Sequence, residues 1–156
     1  MLESAKYLRG IEYHPIAGFS GIFSIAHPRQ KDSIYCIGTY EHLKNNKAKL
    51  FNDFFVKLGL NEKAKDWDLH HIVEKTHLKS FYKEDTLTYN YKNTWPVVLL
   101  YNKVHHMYKY PLEGKEVEII YDLSTVSGLK ELYNNVYYDD FVLRSIALNV
   151  LNIILY

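Results

Sequence analysis

Trp67-Asp68-Leu69-His70-His71-Ile72-Val73-Glu74 sets two adjacent histidines in a short, apolar-flanked run, read here as a strand or a strand-leading loop. Neighbouring side chains on extended backbone point to opposite faces, so His70 and His71 hold different jobs and do not chelate one ion together. One imidazole can bind a metal ion while its neighbour, held by a backbone carbonyl, takes a proton from water. A second pair, His105-His106, follows after about 34 residues, just beyond the β-prone stretch Pro96-Val97-Val98-Leu99-Leu100. The spacing from Tyr101 to Tyr108 predicts the start of a helix, with Asn102 as its N-cap candidate. A strand-borne and a helix-borne imidazole can converge on one cation, which would offset charge developing on a scissile phosphate. On spacing alone, surface or satisfied core histidines remain the equal alternative.

Outward from this centre, residues 19–38 read as two strand-like runs. Phe19, Ile22, Phe23 and Ile25 precede a polar link from His27 to Ser33, and Ile34 to Ile37 form the second run, closed by Gly38. From Tyr40 to Leu58 the apolar spacing becomes helical through Leu43, Leu50, Phe54 and Leu58, with Gly59 as the C-cap residue. Asn61 to Asp66 is a polar lead-in, and His77 to Lys92 reads as a variable insertion with room for a short helix. Pro111 and Gly114 are expected to break the chain, and Val117 to Tyr121 to form a short strand. Residues 127–156 read as helix in two pieces divided near Asp139-Asp140. Leu143, Ile146, Ala147, Val150, Leu151 and Ile154 make the buried face of the last piece.

The 156 residues fit one compact domain able to bury a core without disulfides, and the balance of 47% hydrophobic to 24% charged argues against extended disorder. A single cysteine, Cys36, excludes an internal disulfide and a Cys-rich zinc site, and reads as a small buried apolar residue. Nineteen basic against 18 acidic residues leave a formal charge of +1, which weighs against nucleic-acid binding by bulk charge but not against a local basic groove. Fifteen tyrosines offer amphipathic surface for cores, interfaces or base stacking. Met1 to Gly10 lacks the apolar segment of a signal peptide, and the apolar C-terminal run is too short to span a bilayer, so the expectation is a soluble protein.

The words around the histidines resemble a known family. Trp67 to Glu74 resembles the first half of the HNH, or His-Me finger (ββα-metal), nuclease motif, in the His-His-Ile-Val-Glu form of nuclease toxin domains from bacterial polymorphic toxin systems. Asn93-Thr94, the apolar strand, and then Lys103-Val104-His105 resemble its second half. The likeness covers about 40 residues, roughly a quarter of the chain. It implies His70 as a metal ligand, His71 as general base, His105 as the helix-borne ligand with His106 as its substitute, and Asn93 as support for the base. It also implies that Glu74 serves nearby structure or stands behind a histidine. The departure is at the family's middle Asn, nine residues before the helix histidine, where Pro96 stands; Asn93 or Asn102 would have to compensate. His14, His27, His42 and His77 lack partner spacing and are assigned structural or surface roles.

A second likeness, of Ser20-Gly21-Ile22-Phe23 and Ile34 to Thr39 to the opening of a GIY-YIG nuclease, is set aside. Phe23 lacks the motif hydroxyl, Cys36 occupies the second tyrosine's place, and Leu43 to Lys47 contains no arginine. Phosphate-cradling glycine loops, a Gly-x-Ser-x-Gly elbow and His-Glu-x-x-His are absent.

The fold expectation is therefore α+β. A ββα-metal finger over 67–110 would be embedded in a mostly helical single domain of 1–156, with an N-terminal hairpin plus helix over 19–58 and a C-terminal helical segment over 127–156. The functional expectation is an endonuclease using a divalent metal ion (Mg²⁺, Mn²⁺ or Zn²⁺), acting on DNA in preference to RNA. Lys75, Lys103 and Lys109 are the substrate-binding candidates, with Lys79 and Lys92 as further basic neighbours. Within the resemblance, the domain would belong to a larger secreted toxin that acts in the cytoplasm and meets a cognate immunity protein, acidic where it faces the lysines. The alternatives are a non-catalytic interaction module on a decayed finger and a structural metal-binding domain.

Overall fold

The computed structural model describes residues 3–27 and 34–155. It is an α+β fold built on one antiparallel sheet in the order β1-β2-β3-β5-β4: β1 (His14–Pro15), β2 (Phe23–Ala26), β3 (Ile34–Gly38), β4 (Trp67–His71) and β5 (Val97–Tyr101). The helices are α1 (Tyr40–Lys49), α2 (Glu84–Asn93), α3 (Asn102–Glu113), the single turn α4 (Val117–Ile120), α5 (Val126–Val136) and α6 (Phe141–Ile154). The N-terminal hairpin is not a separate feature, because β3 pairs with β5 and so joins it to the histidine-bearing strands. The polar link at 28–33 lies outside the described residues.

β5 explains the topology. It is flanked by β3 and β4 and covered on both faces, so its sequence is a continuous apolar run with no alternation. Val98 and Leu100 join Ile25, Tyr35 and Ile37 in the larger core, formed with α5, α6 and the 3₁₀ segment Glu3–Leu8. Val97 and Leu99 join Cys36 in a second core under α1, with Leu43, Leu50, Phe51 and Phe55. Cys36 is buried and free, as its apolar setting predicts.

Several expectations need correction. Phe19 and Ile22 lie in turns before β2, held by Phe19 N–H to Ile16 O and Ile22 N–H to Phe19 O. Helix α1 passes into a π-helical stretch, Leu50–Phe55, whose wider turn moves the apolar face on by one residue. Phe55 is consequently buried in place of Phe54, and Leu58 is exposed; Gly59, at φ +77°, does close the segment. Pro111 does not end α3, which runs on to Glu113. The acceptor that loses a partner belongs to Met107, on the exposed side where water can serve it. Val117–Ile120 is a helical turn and not a strand: no strand among the described residues pairs with it, and of its apolar side chains Val117 is buried while Ile119 and Ile120 face solvent. The insertion at 77–92 is mostly ordered as the 3₁₀ turn Lys75–Leu78 and helix α2. The division of the C-terminal region falls where predicted: Asp140 caps α6 through its carboxylate, accepting from Leu143 N–H. No helix among the described residues is long and apolar enough to cross a membrane.

Candidate active site

Register brings the histidines together. β4 is an edge strand antiparallel to β5, with Trp67 opposite Tyr101, His70 opposite Val98 and His71 opposite Val97. Helix α3 begins directly after Tyr101, so its first turn lies beside the start of β4 and His105 falls next to Asp68 and His70. The segment is thus a β4–β5–α3 unit with α2 inserted between its strands.

The alternation expected of β4 is present. His70 faces the α5 side, buried, with its Nε2 2.7 Å from the Tyr137 hydroxyl. That hydroxyl donates its one proton to the Ile72 carbonyl at 2.8 Å, so His70 must donate to it through Nε2–H. Its Nδ1 therefore carries a lone pair and has no hydrogen-bond partner among the described residues. Burial, with the neighbouring His105 and His71, pushes the His70 pKa down to about 3 and keeps the ring neutral.

His71 faces the other side. Its Nε2–H donates to the Tyr91 backbone carbonyl at 2.9 Å, which supplies the carbonyl hold anticipated for a base. The ring lies flat on that of Tyr91, centroids 3.4 Å apart and planes 7° apart, and Tyr40 stacks at 5.4 Å. Nδ1 has no protein partner among the described residues. Burial lowers the His71 pKa to about 4, with Lys75 adding to the fall and the Tyr91 carbonyl opposing it.

His105 donates through Nδ1–H to Asp68 Oδ2 at 2.9 Å, leaving Nε2 as its lone-pair nitrogen. Its ring is 5.2 Å from that of His70. Asn102 is the first residue of α3 and not its cap. With its amide turned to satisfy its neighbours, its nitrogen lies 2.8 Å from Asp66 O and 3.1 Å from both Asp68 carboxylate oxygens. Asp68 is thereby held from two sides. Its parity with His70 on β4 was the available sequence signal for it; Tyr91, Tyr40 and Tyr137 had none.

A cleft of about 360 Å³ opens along the α3 side of β4, lined by Tyr40, Leu69, His71, Glu74, Tyr91, Lys92, His105, Lys109 and Glu113. Glu74 accepts from the Tyr91 hydroxyl at 3.3 Å, and burial, reinforced by Glu113, pushes its pKa up to about 7 against the pull of Tyr91, Lys109 and Lys75. Larger hollows elsewhere, such as the one of about 580 Å³ along His77 and Leu112, lack a free imidazole: His77 Nε2–H donates to Leu112 O, and Nδ1 takes the Tyr133 hydroxyl proton. His77 is buried with both ring nitrogens hydrogen-bonded.

Other candidates are not gathered here. Asn93 ends α2 with its amide donated to the Tyr89 carbonyl, and is exposed. His106 is exposed, 6.1 Å from the His105 ring, and lines a neighbouring hollow. Lys75 is drawn to Glu84 at 3.2 Å, and Lys103 is exposed outside the cleft lining. Lys109 lines the cleft at 4.0 Å from Glu113.

For a divalent ion, His70 Nδ1 is a buried orphaned donor atom, and His105 has the carboxylate-oriented imidazole usual for a metal ligand. The fit is of two donors: among the described residues no three His, Cys, Asp or Glu side chains are grouped to hold a metal.

No protein-family model matches this chain, and no curated protein and no solved structure is significantly similar to it.

Proposed function

We propose that the protein is a metal-dependent endonuclease that hydrolyses phosphodiester bonds in nucleic acid, DNA in preference to RNA. The observation that carries this reading is His71. It is neutral, its Nε2–H donates to a backbone carbonyl, its other nitrogen has no partner among the described residues, and the residue lines a cleft that also holds lysines. In this mechanism His71 Nδ1 takes a proton from the attacking water, and Lys92 and Lys109 receive the phosphate's charge. His70 and His105 are the residues that would hold a divalent ion, which when bound supplies Lewis acidity and charge for the phosphate. The role of toxin domain, with an acidic immunity protein over the lysines, rests on the resemblance of Trp67 to Glu74 alone.

The test is plasmid cleavage with Mg²⁺, Mn²⁺, Zn²⁺ or EDTA, native against His71→Ala. Metal-dependent nicking lost in the variant supports the reading. A folded native protein that cleaves neither DNA nor RNA with any metal sinks it. A second reading, a non-catalytic interaction module, is favoured by exposed Met107, Tyr110, Ile119 and Ile120.

A further inference from the structure

Resting on the nuclease reading, we infer that Glu74 is a second proton-transfer group of the cleft, giving a proton to the departing oxygen while His71 takes one from water. The two side chains line the same cleft and are joined through one residue: Tyr91 donates its hydroxyl to Glu74 and accepts from His71 at its carbonyl, while its ring covers the imidazole. The Glu74 backbone is also fixed, because its N–H donates to the Tyr133 hydroxyl at 2.9 Å. Base and carboxyl thus sit on a common rigid mount at one wall of the cleft.

Their surroundings divide the roles. Burial and Glu113 favour the protonated carboxyl, while His71, whose Nε2–H is donated to the Tyr91 carbonyl, keeps Nδ1 for accepting a proton. The charged groups around Glu74 are Glu113 and Lys109 from α3 and Lys75 from the 3₁₀ turn, with the Tyr91 hydroxyl from α2. Lys75 also pairs with Glu84 and Lys109 with Glu113, and both cations pull against the protonated form of Glu74 without outweighing burial.

The step balances. Water loses a proton to His71 Nδ1 as its oxygen bonds to phosphorus, and the phosphorus–oxygen bond to the leaving nucleoside breaks. That oxygen takes the Glu74 proton, which leaves a carboxylate, and solvent returns both groups to their starting states. An alkoxide leaves poorly without such a proton, whereas p-nitrophenolate, a weak base, does not need one.

The experiment compares a DNA oligonucleotide with bis(p-nitrophenyl) phosphate, in the metal that supports cleavage, for native protein, Glu74→Gln and His71→Ala. Expected is a loss of about 100-fold or more for Glu74→Gln on DNA, the lower end of what general acids contribute, against less than about tenfold on the aryl ester. His71→Ala should lose both activities. For native protein, the rate on DNA should fall as pH rises past about 7, the value at which Glu74 loses its proton, and the aryl ester should show no such limb. Equal loss on both substrates, or none on either, overturns the role. If Glu74→Gln does not fold, the native pH comparison decides alone, and matching limbs overturn it. Failure of the nuclease reading looks different: native protein and His71→Ala would be equally inert on both substrates.

Discussion

Lowering the pH should destabilise this protein by way of its buried histidines, and Glu74 should resist the effect. His70 and His71 titrate at about 3 and about 4 in the fold, against an ordinary value of 6.5 in the unfolded chain. Between those values the unfolded state binds protons that the folded state refuses. The stability is therefore fully present above pH 6.5 and is lost as pH falls towards the folded values. At pH about 5 each ring has lost about 1.36 × (6.5 − 5), or about 2 kcal/mol, a figure set by the unfolded value and not by how low the folded one lies. The pair together loses about 4 kcal/mol, and His77, also lowered by burial, adds in the same direction.

Glu74 has the opposite sign. Its folded value of about 7 stands above its ordinary 4.5, so its contribution is complete below 4.5 and disappears as pH rises through 7. From pH about 7.5 to about 5 it returns roughly half of what the two histidines lose, which leaves a smaller net loss from these three groups. Glu74→Gln keeps the shape, removes the titration and should expose the full loss of about 4 kcal/mol. Urea unfolding followed by tryptophan fluorescence at the two pH values measures this, since Trp95 is fully buried. If Glu74→Gln is no more acid-sensitive than the native chain, the opposing-sign argument is refuted.

Two further outcomes follow from geometry. Gly128→Ala places a better helix former in α5, yet its Cβ would stand 1.9 Å from the Asp122 carbonyl oxygen and 2.9 Å from Thr125 Oγ1, the N-cap oxygen. Helix propensity predicts a gain of about 1 kcal/mol, but moving the 122–125 turn and weakening the cap should cost about 1–3 kcal/mol, so thermal denaturation should show net destabilisation. Tyr91→Phe keeps the stack and the carbonyl hold but removes the hydroxyl that fixes Glu74, and should lower cleavage of DNA more than that of bis(p-nitrophenyl) phosphate. Tyr91→Leu frees the His71 ring and should lower kcat by about tenfold or more with little change in KM, as steady-state kinetics would record.

Period, capping chemistry and a local word were legible in the chain itself. His70 and His71 fall on opposite faces because β4 is a strand, and strand parity needs no knowledge of partners. Asp140 and Gly59 mark helix ends through side-chain and backbone chemistry that acts within a few residues. The stretch Val117 to Tyr121, rich in β-branched residues, and the Phe54 to Leu58 face were misread, because propensity cannot show whether a strand is there to pair with or where a π turn shifts a helix by one residue.

What only the tertiary structure decided is how the histidines are held. Tyr91 is 20 residues from His71 and Tyr137 is 67 from His70, and the hydrogen bonds that set each imidazole's proton come from those distant residues. Asp68 reaches His105 across 37 residues because β4 and β5 pair in register and α3 starts where β5 ends. The α+β class and the positions of the histidines were therefore written in local pattern. Which nitrogen is free, which carboxyl is pushed towards its protonated form and which candidates miss the cleft depend on burial and on contacts between distant segments, which no local pattern encodes.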